Sequence, residues 1–146
     1  MIDTRTAPYG AFALRAALGI MFIAHGLLKV VVFTPAGTAA YFASLGLPEI
    51  FAYLTIVAEI GGGIAILAGV FGRWVSLSLV PLLLGTIVFA HADKGWLFSN
   101  EGGGWEYPLF LAAAAAVQAL LGDGAHALGL PARVRALGAG LGKARA

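Results

Sequence analysis

Five ionisable side chains stand inside or at the edge of long apolar stretches: His25, Lys29, Glu59, His91 and Glu106. Such groups are expensive in hydrocarbon unless they pair or meet water, so each is a candidate for proton transfer, ion pairing or ligand binding. An imidazole titrates near neutrality, which suits His25 and His91 to proton exchange and to donating towards a carbonyl oxygen. Glu59 suits a proton relay, with Lys29 or His25 as its partner. The plainer reading of the same residues is an ion pair that only sets helix register. Lys29 could also run its ammonium out to the interface. His25 and His91 could hold a haem b between two helices, a weaker reading because two histidines are little to build on. A zinc site from His25, His91 and Glu59 has no local ligand spacing behind it, so no metal site is expected.

Composition names the elements that must carry these groups. Of 146 residues, 60% are apolar and 11% charged, whereas a soluble domain is about one quarter charged. The chain therefore reads as an all-α integral membrane protein, one domain over residues 1–146. The absence of cysteine excludes disulfides, thiolate nucleophiles and cysteine-held clusters. Four stretches, roughly 11–33, 50–71, 74–96 and 107–130, approach the ~20 residues that cross a bilayer core. Their runs are continuous rather than alternating, so helices are expected, giving a four-helix bundle. Between the first two, Thr34-Pro35 reads as an N-cap and Gly46 as a stop, so a short outer interfacial helix presents Tyr41, Phe42 and Leu45 on one face. Residues 93–106, with Gly102-Gly103-Gly104, read as a flexible loop. Trp74, Trp96 and Trp105 fall at helix ends, where indoles anchor at the headgroups.

Basic residues orient the chain. Arg5, Arg15, Arg73, Arg133, Arg135, Lys143 and Arg145 fall on one side, Lys29 and Lys94 on the other. That bias places both termini, and the basic tail 131–146, in the cytoplasm. The tail lacks interleaved aromatics, so its partner is the lipid bilayer and not nucleic acid. With this orientation His25, Lys29, Glu59, His91 and Glu106 converge on one slab in the outer half. Helical phase puts His25 and Lys29 on one stripe, and Thr55, Glu59 and Gly62-Gly63 on another. Small residues four apart, Ala58 with Gly62 and Gly61 with Ala65 and Gly69, should let a neighbouring helix approach closely. Arg15 and Asp123 near the inner interface read as structural, and His126 as a surface residue.

Leu14-Arg15, Gly19, Phe22, His25-Gly26 and Lys29 resemble the first-helix signature of the DoxX family of membrane proteins. Ala58-Glu59-Ile60-Gly61-Gly62, followed by Gly69 and Arg73, is similar to its acidic, glycine-rich motif. His91, Gly95-Trp96, Gly103-Gly104-Trp105-Glu106-Tyr107 and Gly122-Asp123-Gly124 extend the resemblance over nearly the whole chain. Where some members close the last helix with a Ser-Leu-Asp type sequence, this chain has His126-Ala127-Leu128-Gly129. The resemblance implies a bacterial inner (plasma) membrane protein associated with redox chemistry, including quinone and catechol handling and complexes with oxidative-stress enzymes.

The expectation that follows is a redox-system subunit that handles a quinone or similar small redox molecule. Glu59, His25 and His91 would act as relay and donors, while Phe22, Lys29, Tyr41, Trp105 and Glu106 would bind the ligand. The chain has no electron-carrier motif of its own, so electrons would need a bound cofactor, a redox partner subunit or an oligomer. The competing expectation is a non-catalytic membrane anchor or assembly subunit for an oxidoreductase. A carrier reading ranks last, because no paired broken helices stand out.

Overall fold

The computed structural model describes residues 2–129, and every regular element among them is helical. The first rod is α1 (Ala7–Leu27), which runs directly into a π-helical turn at Leu28–Val32. A short helix, α2 (Pro35–Ser44), leads to α3 (Ile50–Ala68). Next comes α4 (Gly72–Thr86), also extended by a π turn, Ile87–His91, and then α5 (Glu106–Leu121). Ala7–Val32, Ile50–Ala68 and Gly72–His91 are long and apolar enough to cross a membrane. At 16 residues, α5 is about 24 Å long, short of the ~30 Å hydrocarbon core.

That shortening corrects the expected fourth stretch of 107–130. Gly122 takes φ 81° and ends the helix, a backbone region that costs glycine little. The third stretch likewise ends early, at His91 rather than Trp96. The basic tail at 131–146 lies outside the described residues.

The α2 helix starts where Thr34 caps it, its hydroxyl accepting from Gly37 N–H at 3.2 Å. Thr38 and Ala39 form the buried face of α2, with Phe42 and Leu45 half-buried beside them, whereas Tyr41 turns outward.

Packing is led by α1 on α3 and α4 on α5, and α3–α4 and α1–α5 contacts join the two pairs. Leu18, Phe22, Ile66, Leu79, Leu83, Leu111, Ala112 and Ala115 make the shared core. The α1–α3 seam is set by glycine. A Cβ on Gly19 would lie 2.9 Å from the Gly63 carbonyl, and one on Gly63 would lie 2.9 Å from the Gly19 carbonyl. A Cβ on Gly26 would strike Ile60 at 2.5 Å and reach the Glu59 Cβ at 3.3 Å. Backbone thus meets backbone, the contact that small residues permit in a membrane. The seam uses Gly63, which lies on the expected Glu59 stripe, and Gly62 meets Leu79 and Val75 of α4, whereas Gly61, expected to admit a neighbouring helix, faces open space.

At the opposite end of the bundle from Lys29, residues 122–129 cross the helix ends as a strap. Ala125 N–H donates to the Pro8 carbonyl, Leu128 N–H to Ala68 and Gly129 N–H to Gly69. Arg15 anchors the strap from within, at 1% exposure.

Candidate functional site

The glycine seam is what brings the charged pair together. Gly26 on α1 lets Ile60 and Glu59 of α3 come close, and Lys29 sits one turn further along. Its Nζ donates to both Glu59 carboxylate oxygens, at 2.9 and 2.7 Å. Glu59 is 5% exposed, so its charge faces protein rather than lipid. Lys29 keeps about a fifth of its side chain accessible. Its Nζ also reaches the His25 carbonyl at 3.4 Å.

Within the π turn, the Lys29 carbonyl accepts from the Thr38 hydroxyl at 3.2 Å, and the same hydroxyl reaches Thr34 O at 2.9 Å. Thus α2 holds the backbone that carries the lysine. Thr38→Val keeps the side-chain shape but removes these bonds. It should lower unfolding stability by about 0.5–1.5 kcal/mol. Thermal unfolding from mild detergent measures this, with Thr55→Val on α3 as a comparison.

The two histidines are fixed by carbonyls. His25 Nδ1 lies 2.8 Å from Met21 O, and His91 Nδ1 lies 2.8 Å from Gly103 O. A carbonyl only accepts, so both Nδ1 atoms carry hydrogen and each ring keeps Nε2 for proton exchange. The His25 ring stacks on Tyr107 of α5, with centroids 5.9 Å apart and planes 22° apart. Glu106 accepts from Phe98 N–H at 2.8 Å. Trp105 N–H and Glu106 N–H donate to Gly95 O and Trp96 O, and the Trp96 and Trp105 rings meet edge to face at 4.6 Å. Residues 93–106, expected as a flexible loop, are therefore cross-linked by hydrogen bonds on both flanks. On the same loop, Lys94 pairs with exposed Asp93 at 2.9 Å, which holds the Asp93 carboxyl below its ordinary range.

Of the five polar groups expected in one slab, Lys29 and Glu59 are in direct contact. His25 adjoins them through its backbone, and its ring makes no hydrogen bond to either. His91 and Glu106 are bonded to the 93–106 loop instead. Phe22 is buried in the shared core at 1% exposure, and Tyr41 lies on the outer face of α2. Among the described residues, no group of three His, Asp or Glu side chains is gathered for a metal. An open, mostly apolar groove of about 630 Å³ lies beside the loop, lined by Trp96, Phe98, Glu106, Tyr107, Leu109, Phe110 and Ala113. Tyr107 joins this groove to His25, because its ring stacks on the imidazole.

Three contributors escaped the sequence reading. Gly26 acts by lacking a side chain, and the Thr38 hydroxyl acts on a backbone carbonyl, neither of which spacing in an apolar run reveals. Tyr107 is named in that reading only as the end of the Gly103-Gly104-Trp105-Glu106-Tyr107 motif.

Comparisons with known proteins place the chain in a family. The chain is 35% identical over 102 residues to "Putative oxidoreductase CatD" of Bacillus subtilis (strain 168), covering 70% of this chain and 72% of that protein. It is 33% identical over 84 residues to "Inner membrane protein YqjF" of Escherichia coli (strain K12), covering 58% of this chain and 63% of the other. "Inner membrane protein YphA" of the same organism is 35% identical over 79 residues, 53% of this chain and 55% of its own. No solved structure matches significantly. The DoxX family pattern matches residues 10–92, a stretch that holds the glycine seam, the Lys29–Glu59 pair and His91. With more than half its length matched and its charged pair inside the match, the chain belongs to the DoxX family.

Proposed function

We propose that this protein is a bacterial inner-membrane subunit of a redox system, and that it handles a quinone or similar small redox molecule at the Lys29 end of the bundle. The observation that carries the reading is the buried Lys29–Glu59 pair beside a histidine whose ring stacks on the wall of an aromatic groove. A charged pair shielded from lipid is costly to maintain, and in membrane helices such groups commonly mark proton or substrate pathways. The names of the B. subtilis and E. coli relatives, an oxidoreductase and inner membrane proteins, support the same assignment. A quinone would supply the electron chemistry and take up protons on reduction.

The chain's own residues do the rest. Trp96, Phe98, Tyr107 and Phe110 offer apolar surface to a flat ring. His25 Nε2 exchanges a proton, with Nδ1 held by Met21. Lys29 holds the charge of Glu59 in place and limits where protons can settle. The positive-inside bias places both termini in the cytoplasm and this end towards the outside, with α5 taken as a fourth crossing.

A second reading keeps the alternative of a membrane anchor or assembly subunit. It is favoured by the way His91 and Glu106 are already bonded to the 93–106 loop.

Binding separates the two. Purified protein in nanodiscs, titrated with a short-tailed ubiquinone, should bind it. Glu59→Gln should weaken that binding about tenfold, or ~1.4 kcal/mol. Equal binding by a folded Glu59→Gln variant, or none by the wild type, leaves the anchor reading in place.

A further inference from the structure

A second polar cluster lies at the Arg15 end, away from the proposed ligand site. Arg15 is 1% exposed, yet no carboxylate lies within salt-bridge distance of it among the described residues. Its guanidinium donates to three strap carbonyls instead: Asp123 O at 2.9 Å, Ala125 O at 3.3 Å and His126 O at 3.2 Å. Among the described residues its Nε–H has no partner. The other buried side-chain atoms without a partner, among the described residues, are Ser76 Oγ, Gln118 Oε1 and Asp123 Oδ1. All four lie at this end of the molecule.

The four residues are also linked to one another. A Cβ on Gly72 would run into Asp123 Oδ1, which puts that carboxylate over the start of α4. Ser76 is one turn along from Gly72 on the same buried face and is fully buried. Gln118 is fully buried too, and its amide nitrogen donates to Gly122 O at 2.6 Å, next to Asp123. Arg15 reaches the Asp123 carbonyl.

The chemistry of the set selects its occupant. Arg15 Nε–H is a donor, Gln118 Oε1 and Asp123 Oδ1 are acceptors, and Ser76 Oγ is both. A metal cation would be repelled by the guanidinium, and an anion by the carboxylate. Water satisfies donors and acceptors together, and buried water is held by about three such bonds. We propose that Arg15, Ser76, Gln118 and Asp123 hold ordered water that bridges the buried guanidinium to the Asp123 carboxylate. The bridge gives Arg15 the counter-charge its direct contacts lack, and it pins the strap across the helix ends. The apolar core containing Leu18, Phe22 and Leu79 lies between this site and Lys29, so the proposal is independent of the redox reading.

Two measurements on the full chain in lipid test it. Water-edited solid-state NMR should show fast polarisation transfer from water to Arg15 Nε and the Gln118 side chain. Ser76→Ala removes one polar atom with little change of shape. With water bridging the site, Tm should fall by about 2–4 °C. In a dry site, removing an unpaired buried hydroxyl relieves its desolvation, and Tm should hold or rise. Ser78→Ala, on the exposed side of α4 with its hydroxyl bonded to Val75 O, serves as the control. Water transfer together with a lower Tm for Ser76→Ala supports the proposal. Absent transfer to either group, or a Tm at or above wild type, overturns it.

Discussion

Lys29→Met is expected to destabilise the fold by about 3–5 kcal/mol, because it strands a buried carboxylate without its counter-ion. Glu59 is 5% exposed and accepts from Lys29 with both oxygens, so no solvent is at hand to replace the ammonium. Glu59→Gln should cost less. The amide oxygen still accepts from Lys29, and the lysine, about a fifth exposed, can extend towards the interface. The double variant Lys29→Met/Glu59→Leu should recover most of the loss, since an apolar pair of similar size needs no compensation. Denaturant or thermal unfolding of the four proteins in mild detergent reads this order. A Lys29→Met protein as stable as wild type would mean that the carboxylate is not buried against α1.

Gly63→Val should also be strongly disruptive, though somewhat less than Lys29→Met. Its Cβ would meet the Gly19 carbonyl and Ile23 N–H, each at 2.9 Å, and backbone cannot move aside as a flexible side chain can. Overpacking typically costs about 1–3 kcal/mol, and a contact of backbone against backbone belongs at the top of that range. Because the same seam positions Glu59 beside Lys29, the variant should lose ligand affinity as well as stability. Gly61→Ala, two residues away, faces open space and should be neutral or slightly stabilising, alanine being the better helix former. Parallel Tm measurements on the two variants decide the point. Equal losses would contradict the seam.

The contrast between Gly61 and Gly63 shows where sequence reading reaches and where it stops. Continuous apolar runs mark the rods, because lipid leaves the backbone no alternative to helix. Glu59 and Lys29 stand out for the same reason, since an ionisable group in such a run must find a partner. Which glycine faces α1 is a matter of helical phase. Residues two apart point about 200° from each other, and a Gly-Gly-Gly run at 61–63 offers every direction at once.

The π turns at Leu28–Val32 and Ile87–His91 have no sequence mark, because their register depends on ties made elsewhere, such as Thr38 to Lys29. His91 and Glu106 are polar at the right depth, yet depth alone does not show that a loop carbonyl and a loop N–H already engage them. Arg15 could be placed near an interface from its position. Its burial beneath the strap depends on Gly122 and Gly124, whose positive φ turns the chain back across the helix ends.

Solid-state NMR in lipid bilayers, with ¹⁵N on the Lys29 side chain and ¹³C on the Glu59 carboxylate, measures the pairing itself. A strong one-to-one dipolar coupling is expected, as Nζ lies 2.9 and 2.7 Å from the two carboxylate oxygens. No resolvable coupling in folded protein would mean that lysine and glutamate do not meet, and the site built around them would not exist.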